Sequence, residues 1–212
     1  MNSTRIIAIR HGETAWNKDS RIQGHLDIPL NETGRWQAEC TGRALADEAI
    51  DAIYTSDLSR ARETAEAIAR HTRAPLELRS GLRERAFGHF QGRSFAEIEI
   101  ESPEDALLWR KRVPDWQPEG GESLLNLRER ILQTAHSLAA RHLGQQIVLV
   151  AHGGVLDILH RAATRQDLQA PRTWLLANTA INRLLWTPAG FTLIGWGDTQ
   201  HLDLAGRDET TT

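Results

Sequence analysis

Ile147-Val148-Leu149-Val150-Ala151 is an unbroken apolar run that stops abruptly at His152-Gly153-Gly154. A short run without polar alternation suits a strand covered on both faces, as in a parallel sheet. Val155, Leu156 and Leu159, followed by Ala162-Ala163, then suggest a helix directly after it. The pattern of an apolar strand ending in a polar signal occurs twice more. Ile6-Ile7-Ala8-Ile9 runs into Arg10-His11-Gly12-Glu13-Thr14, and Ala52-Ile53-Tyr54 runs into Thr55-Ser56-Asp57-Leu58-Ser59-Arg60-Ala61-Arg62.

Helical and strand patterns alternate along the rest of the chain, which predicts an α/β layer architecture. Asn31 is a candidate cap for a helix to about Asp47, with Ala38, Leu45 and Ala49 on its apolar side. Ser56 reads as the cap of a helix that places Leu58, Ala61, Ala65 and Ile68 on one face. Leu76-Glu77-Leu78 suggests a short strand, Ser94–Glu97 a capping box, and Ser102-Pro103 a cap followed by proline at the first helical position. Residues 113–122 are rich in Pro and Gly and read as a loop. Leu124, Leu127, Ile131, Ala135 and Leu138 mark a long amphipathic helix, and two runs around Thr187-Pro188-Ala189-Gly190 mark a terminal hairpin.

The 212 residues give room for one domain with a sizeable core. The 25 Lys and Arg against 28 Asp and Glu, a net charge of −3, argue against nucleic acid or an anionic membrane surface as partner. A single cysteine, Cys40, excludes a disulfide framework and Cys-rich metal sites. No stretch approaches the roughly 20 apolar residues of a membrane span. The apolar run between Arg5 and Arg10 is shorter than the about 7–15 residues of a secretory core, so a cytoplasmic location is expected. Residues 207–212 are polar and expected to fray.

In parallel sheets, ligands bind beyond the carboxyl ends of the strands, where His11, Arg60 and His152 would converge. Arg10, Arg60 and Arg62 supply forked donors for phosphate oxygens, and Gly153-Gly154 allow close backbone approach. A neutral imidazole is a competent phosphoryl acceptor, and flanking guanidinium groups would hold it neutral. An alkoxide leaving group also needs a carboxylic acid nearby, which spacing alone does not identify. A lone His after a strand is more often a hydrogen-bonding residue than a catalyst, and Arg62 has the spacing to pair with Glu66 on a helix surface. Metal ligation by His11, His152 and a carboxylate is the competing arrangement, opposed by the neighbouring arginines.

These residues resemble the signature of the histidine phosphatase superfamily, in its phosphoglycerate mutase-like branch. The resemblance rests on Ile9–Thr14 with Trp16-Asn17; Arg21–Gly24 with Asp27, Pro29-Leu30 and Gly34; Ser56–Ala61 with Thr64-Ala65; Leu82–Arg85 with Phe87-Gly88 and Gln91-Gly92; Gly120–Ser123; and Val150–Gly154. It covers nearly the whole chain. It implies that His11 is the nucleophile, that Arg10, Arg60 and His152 bind the phosphoryl oxygens, and that Glu84 is the acid and base. Asn17, Gln23, Gly24, Arg62, Arg85 and the backbone of Gly153 would contact phosphate or the rest of the substrate. The implied fold is a three-layer α/β/α sandwich with a mostly parallel sheet and one antiparallel edge strand, in a single domain over 1–206. Neither a metal nor an organic cofactor is implied.

Residues 93–119 would form the lid. This segment is short beside the insertion typical of cofactor-dependent mutases, which favours a phosphatase acting on a small phosphorylated metabolite. A bisphosphoglycerate-dependent mutase and a non-catalytic phosphate-binding module are the alternatives. Trp109-Arg110-Lys111-Arg112 offers charges for a substrate carboxylate, or equally a solvated helix face. Oligomeric state stays open, with a homodimer through the terminal hairpin or the Trp residues as the candidate.

Overall fold

The computed structural model describes residues 2–203. The expected tail at 207–212 and the end of the expected 1–206 domain lie outside the described residues. Within them the chain order is β1 (Thr4–Arg10), α1 (Ala15–Lys18), α2 (Glu32–Ala44), β2 (Ala52–Thr55), α3 (Ser59–Thr72), β3 (Leu76–Leu78), α4 (Phe95–Glu101), α5 (Pro103–Arg110), α6 (Leu124–Ala140), β4 (Gln146–Ala151), α7 (Gly153–Thr164), β5 (Ile181–Thr187) and β6 (Gly190–Asp198).

The strands form one sheet in the order β3-β2-β4-β1-β5-β6. β1, β2, β3 and β4 are mutually parallel, and the antiparallel pairing is confined to the β5–β6 edge, where β5 alone runs against the other five strands. All six residues of β4 are buried, as its unbroken apolar run requires. Alternate side chains of the strands point to opposite faces. Ile6, Ala8, Ile147 and Leu149 pack on Leu127, Ile131, Leu156 and Leu159 of α6 and α7. Ile7, Ile9, Val148 and Val150 pack on Ala61, Ala65 and Ile68 of α3, with Leu45 just past α2. The result is the expected three-layer sandwich.

Register places the site. Arg10 is opposite Ala151 and Thr55 opposite Val150, so β1, β4 and β2 end level with one another. The pairing continues one step further, with His11 N–H donating to the Ala151 carbonyl at 2.9 Å and Ser56 N–H to the Val150 carbonyl at 3.1 Å. His11, the start of α3 and His152 therefore meet at one edge.

Several local expectations change. The helix expected to about Asp47 ends at Ala44, which leaves Ala49 exposed. Ser56 does not cap α3; the helix starts at Ser59 after Leu58, which supplies no capping side chain. Ser59 N–H donates instead to Asp27 Oδ1 at 2.6 Å, so a carboxylate from a distant loop takes the cap's place. Ser102 gives no side-chain cap to α5, although Pro103 does occupy the first turn, whereas Ser94 closes the expected capping box on α4. The 93–119 segment carries α4 and α5, and its Ile98 and Ala106, with Phe95, Trp109 and Trp116, pack together with Phe87 and Phe90 of the preceding stretch into a small separate core.

Candidate active site

His11 is 3% exposed and its Nδ1 lies 2.7 Å from the Gly12 carbonyl oxygen. A carbonyl only accepts, so Nδ1 carries the hydrogen and the lone pair is on Nε2. Burial first, then the charges of Arg10 and Arg60, hold the His11 pKa well below the ordinary imidazole value. Gly12 N–H donates to Thr64 Oγ1 at 3.0 Å and Asn178 Nδ2 donates to the His11 carbonyl at 2.7 Å, which fixes the loop against α3 and the segment before β5.

His152 is fully buried with its ring centroid 5.2 Å from that of His11. Burial and the charges of Arg60, His11 and Arg10 likewise hold it neutral. Arg60 is 1% exposed; Nη1 donates to the Leu26 carbonyl at 2.9 Å and Nη2 to the Gly24 carbonyl at 2.7 Å. Burial lowers its pKa to about 10, so it stays charged at neutral pH. Arg10 donates from Nη1 to the Leu176 carbonyl at 2.6 Å. After these contacts, Arg10 Nε, Arg60 Nε and both ring nitrogens of His152 remain buried without a partner. Buried polar groups are nearly always paired, so orphaned polar atoms at one strand edge mark the seat of a ligand.

Glu84 follows β3 and sits at the start of α7. Gly154 N–H is shared between its Oε1 and Oε2 at 3.1 and 3.2 Å, and Arg85 N–H donates to Oε1 at 2.8 Å. A side chain at position 154 would overlap Glu84 Oε1 and displace it from its place against the Gly154 N–H. The missing side chain of Gly153 leaves open the space between Arg10 Nε and Glu84 Oε2, each 3.8 Å from where its Cβ would be. Arg85 lines the same cavity, donating to the Glu122 carbonyl at 2.7 Å, with burial lowering its pKa to about 10.

The other expected contacts divide. Gln23 is buried with Oε1 unpartnered, and the Gly24 carbonyl helps hold Arg60. Asn17 is half-buried, its Oδ1 accepting from Thr14 in a capping box. Arg62 does not join the orphaned donors; it is exposed and pairs with Glu66 at 3.6 Å. Two residues along a helix rotate a side chain by about 200°, so Arg62 points away from the edge that Arg60 faces.

Residues that sequence reasoning passed over complete the site. Arg130 of α6 donates to the carbonyls of Gly81 and Arg83 at 3.0 and 2.9 Å, and His25 Nε2 lies 2.8 Å from the Glu84 carbonyl. Both steady the Glu84 segment. A cavity of about 470 Å³ extends from Arg10 and Glu84 to Trp109, Arg112, Asp157 and Arg172. Of the basic run in the 93–119 segment, Arg110 pairs with Glu99 and Lys111 is exposed, whereas Arg112 reaches the cavity and pairs with Asp157 at 2.7 Å. Among the described residues, no group of three or more His, Cys, Asp or Glu is placed to hold a metal ion, and no helix is long and apolar enough to cross a membrane.

A parallel sheet edge that presents a neutral imidazole between guanidinium groups, with a carboxylate facing it, defines an α/β protein built to handle a phosphoryl group. The chain belongs to the histidine phosphatase superfamily (branch 1), whose sequence profile matches residues 6–199. It is 38% identical over 206 residues to phosphoglycerate mutase-like protein 4 of Arabidopsis thaliana, covering 95% of this chain and 88% of the relative. It is 34% identical to the metal-independent phosphoserine phosphatase of the same plant, covering 96% and 85%. The structure of Bacillus stearothermophilus YhfR superposes with a TM-score of 0.87 at 31% identity, covering 94% of this chain and 99% of that one.

Proposed function

We propose that the protein is a phosphomonoester hydrolase that carries the phosphoryl group on His11 Nε2 and needs no metal. The observation that carries this reading is the set of buried donors without partners, Arg10 Nε, Arg60 Nε and the ring of His152, grouped around a neutral His11. Phosphate oxygens satisfy those donors. Nε2 attacks phosphorus as the bond to the leaving oxygen breaks, and the guanidinium charges stabilise the oxygens of the transition state. Glu84 gives its proton to the leaving alkoxide. It then takes a proton from the water that attacks phospho-His11, which returns free imidazole and releases inorganic phosphate. Gln23, Gly24, Asn17, Arg85 and the Gly153 backbone shape the seat.

The 93–119 segment is read as a lid over the cavity, with only two short helices and an aromatic core shared with Phe87 and Phe90. A relative named for phosphoserine hydrolysis supports hydrolysis over isomerisation. The same reading places the enzyme in the cytoplasm, where phosphorylated metabolites are held, and offers β6, the outermost strand with Ile194 exposed, as the face of a homodimer. His11→Ala is expected to lower turnover of phosphomonoesters by roughly 10⁴-fold or more. Retained turnover contradicts the nucleophile assignment. Conversion of 3-phosphoglycerate to its isomer by the native enzyme, without release of phosphate, contradicts the hydrolase assignment.

A further inference from the structure

One backbone carbonyl, that of Gly12, sets the tautomer that frees His11 Nε2. A neutral imidazole carries a single ring N–H, so whatever faces Nδ1 decides what Nε2 can do. A carbonyl there draws the hydrogen to Nδ1 and leaves the Nε2 lone pair free. With the Gly12–Glu13 peptide turned over, its N–H would face Nδ1 instead. The hydrogen would then sit on Nε2, and no lone pair would remain to attack phosphorus.

Residue 12 is a poor place to hold such a peptide. A Cβ there would run into the Gly34 carbonyl of α2, so the close approach of loop to helix calls for glycine. Glycine in turn leaves the peptides on either side of it freer to rotate than any other residue would. Three side chains from three separate parts of the fold restrain them. Glu13 N–H, the other end of the peptide that faces Nδ1, donates to Gln37 Oε1 of α2 at 2.9 Å. The preceding peptide is held at both ends, its carbonyl by Asn178 Nδ2 at 2.7 Å and its N–H by Thr64 Oγ1 at 3.0 Å. The Thr64 hydroxyl donates in turn to the Arg60 carbonyl at 2.8 Å, so the same contact ties the nucleophile loop to the helical turn that carries Arg60. Gln37, Thr64 and Asn178 do not line the cavity, and they act through the backbone.

We propose that Gln37, together with Thr64 and Asn178, is a positioning residue: the three fix the peptides on either side of Gly12 and so select the His11 tautomer whose Nε2 can accept the phosphoryl group. The consequence for turnover rests on the hydrolase reading above. The test removes the acceptor on Gln37 and reads the tautomer directly. Nitrogen–proton correlation spectra of the imidazole rings separate the two neutral tautomers, and the His11 signal is identified by its loss in His11→Ala. Native His11 is expected in the form with hydrogen on Nδ1. Gln37→Leu is expected to add the form with hydrogen on Nε2 and to lower kcat/KM for a phosphomonoester by about five- to ten-fold, the scale of one hydrogen bond. Competitive inhibition by inorganic phosphate, which needs the seat's donors but no lone pair on Nε2, is expected not to weaken. Gln37→Glu keeps an acceptor for the Glu13 N–H and is expected to restore both tautomer and kcat/KM. Asn178→Ala, which frees the neighbouring peptide, is expected to shift the tautomer in the same direction as Gln37→Leu. An unchanged tautomer in Gln37→Leu or in Asn178→Ala, an equal loss in Gln37→Glu, or weakened phosphate inhibition in Gln37→Leu overturns the proposal and leaves the hydrolase reading intact. A native enzyme that releases no phosphate from phosphomonoesters overturns the hydrolase reading alone, because the tautomer is read without turnover.

Discussion

The phosphoryl seat and the 93–119 segment face one another across the cavity and are built in opposite ways. At the seat, polar groups are buried: Arg60 and the neutral His152 are almost wholly shielded, and Arg60 Nε and both ring nitrogens of His152 have no partner. In the 93–119 segment most ion pairs lie at the surface, with Arg93 paired to Glu101, Arg110 to Glu99 and Arg21 to Glu97, whereas Arg112 turns inward to Asp157. Aromatic packing holds that segment instead, with Phe87 and Trp109 stacked at 5.0 Å. Buried unpaired donors are costly until a ligand meets them, whereas exposed ion pairs contribute about 0–1 kcal/mol each. The chemistry is therefore fixed by the sheet edge, and the covering segment is free to vary in what it admits.

Substitutions grade this contrast. Arg60→Ala removes one of the seat's donors and leaves the Gly24 and Leu26 carbonyls unpaired, so kcat is expected to fall by roughly 10²–10³-fold. A loss smaller than ten-fold in steady-state assays would break the contrast. Acid sharpens it next. His11 and His152 titrate well below the ordinary imidazole value in the folded protein, while in the unfolded chain they titrate near about 6.5. Below that pH the unfolded state binds protons that the folded state refuses, so stability falls as pH falls. Thermal melts from pH 8 to pH 5 are expected to show this slope, and His152→Asn is expected to flatten it; an identical slope in the variant would count against the buried neutral pair. The smallest effect belongs to the covering segment. Arg110→Ala breaks an exposed pair with Glu99 and is expected to change stability by no more than about 0.5 kcal/mol in denaturant titrations.

What the sequence made legible follows the same division. Strands buried on both faces must be apolar throughout, so β1 and β4 announced themselves, and with them the positions of His11 and His152. Their meeting follows from parallel strands ending at one edge. Local sequence does not single out Glu84, which only the family resemblance points to, because its place depends on distant partners: Arg130 from α6, His25 from the 21–30 loop and the Gly154 N–H of α7. Capping of α3 by Asp27 is not legible for the same reason, since Ser56 offers a nearer capping side chain in the sequence. Arg172 lies in a connection with no periodicity to read, and only the folded cavity brings it opposite the seat.

Covalent capture of the phosphoryl group tests the central claim most directly. Glu84→Gln cannot deprotonate the hydrolytic water, yet an ester with a good leaving group needs no proton to transfer its phosphoryl group. Rapid quenching of that variant with such an ester, followed by mass mapping, is expected to find the phosphoryl group on His11. Its absence from His11, with turnover in the native enzyme intact, would contradict the account.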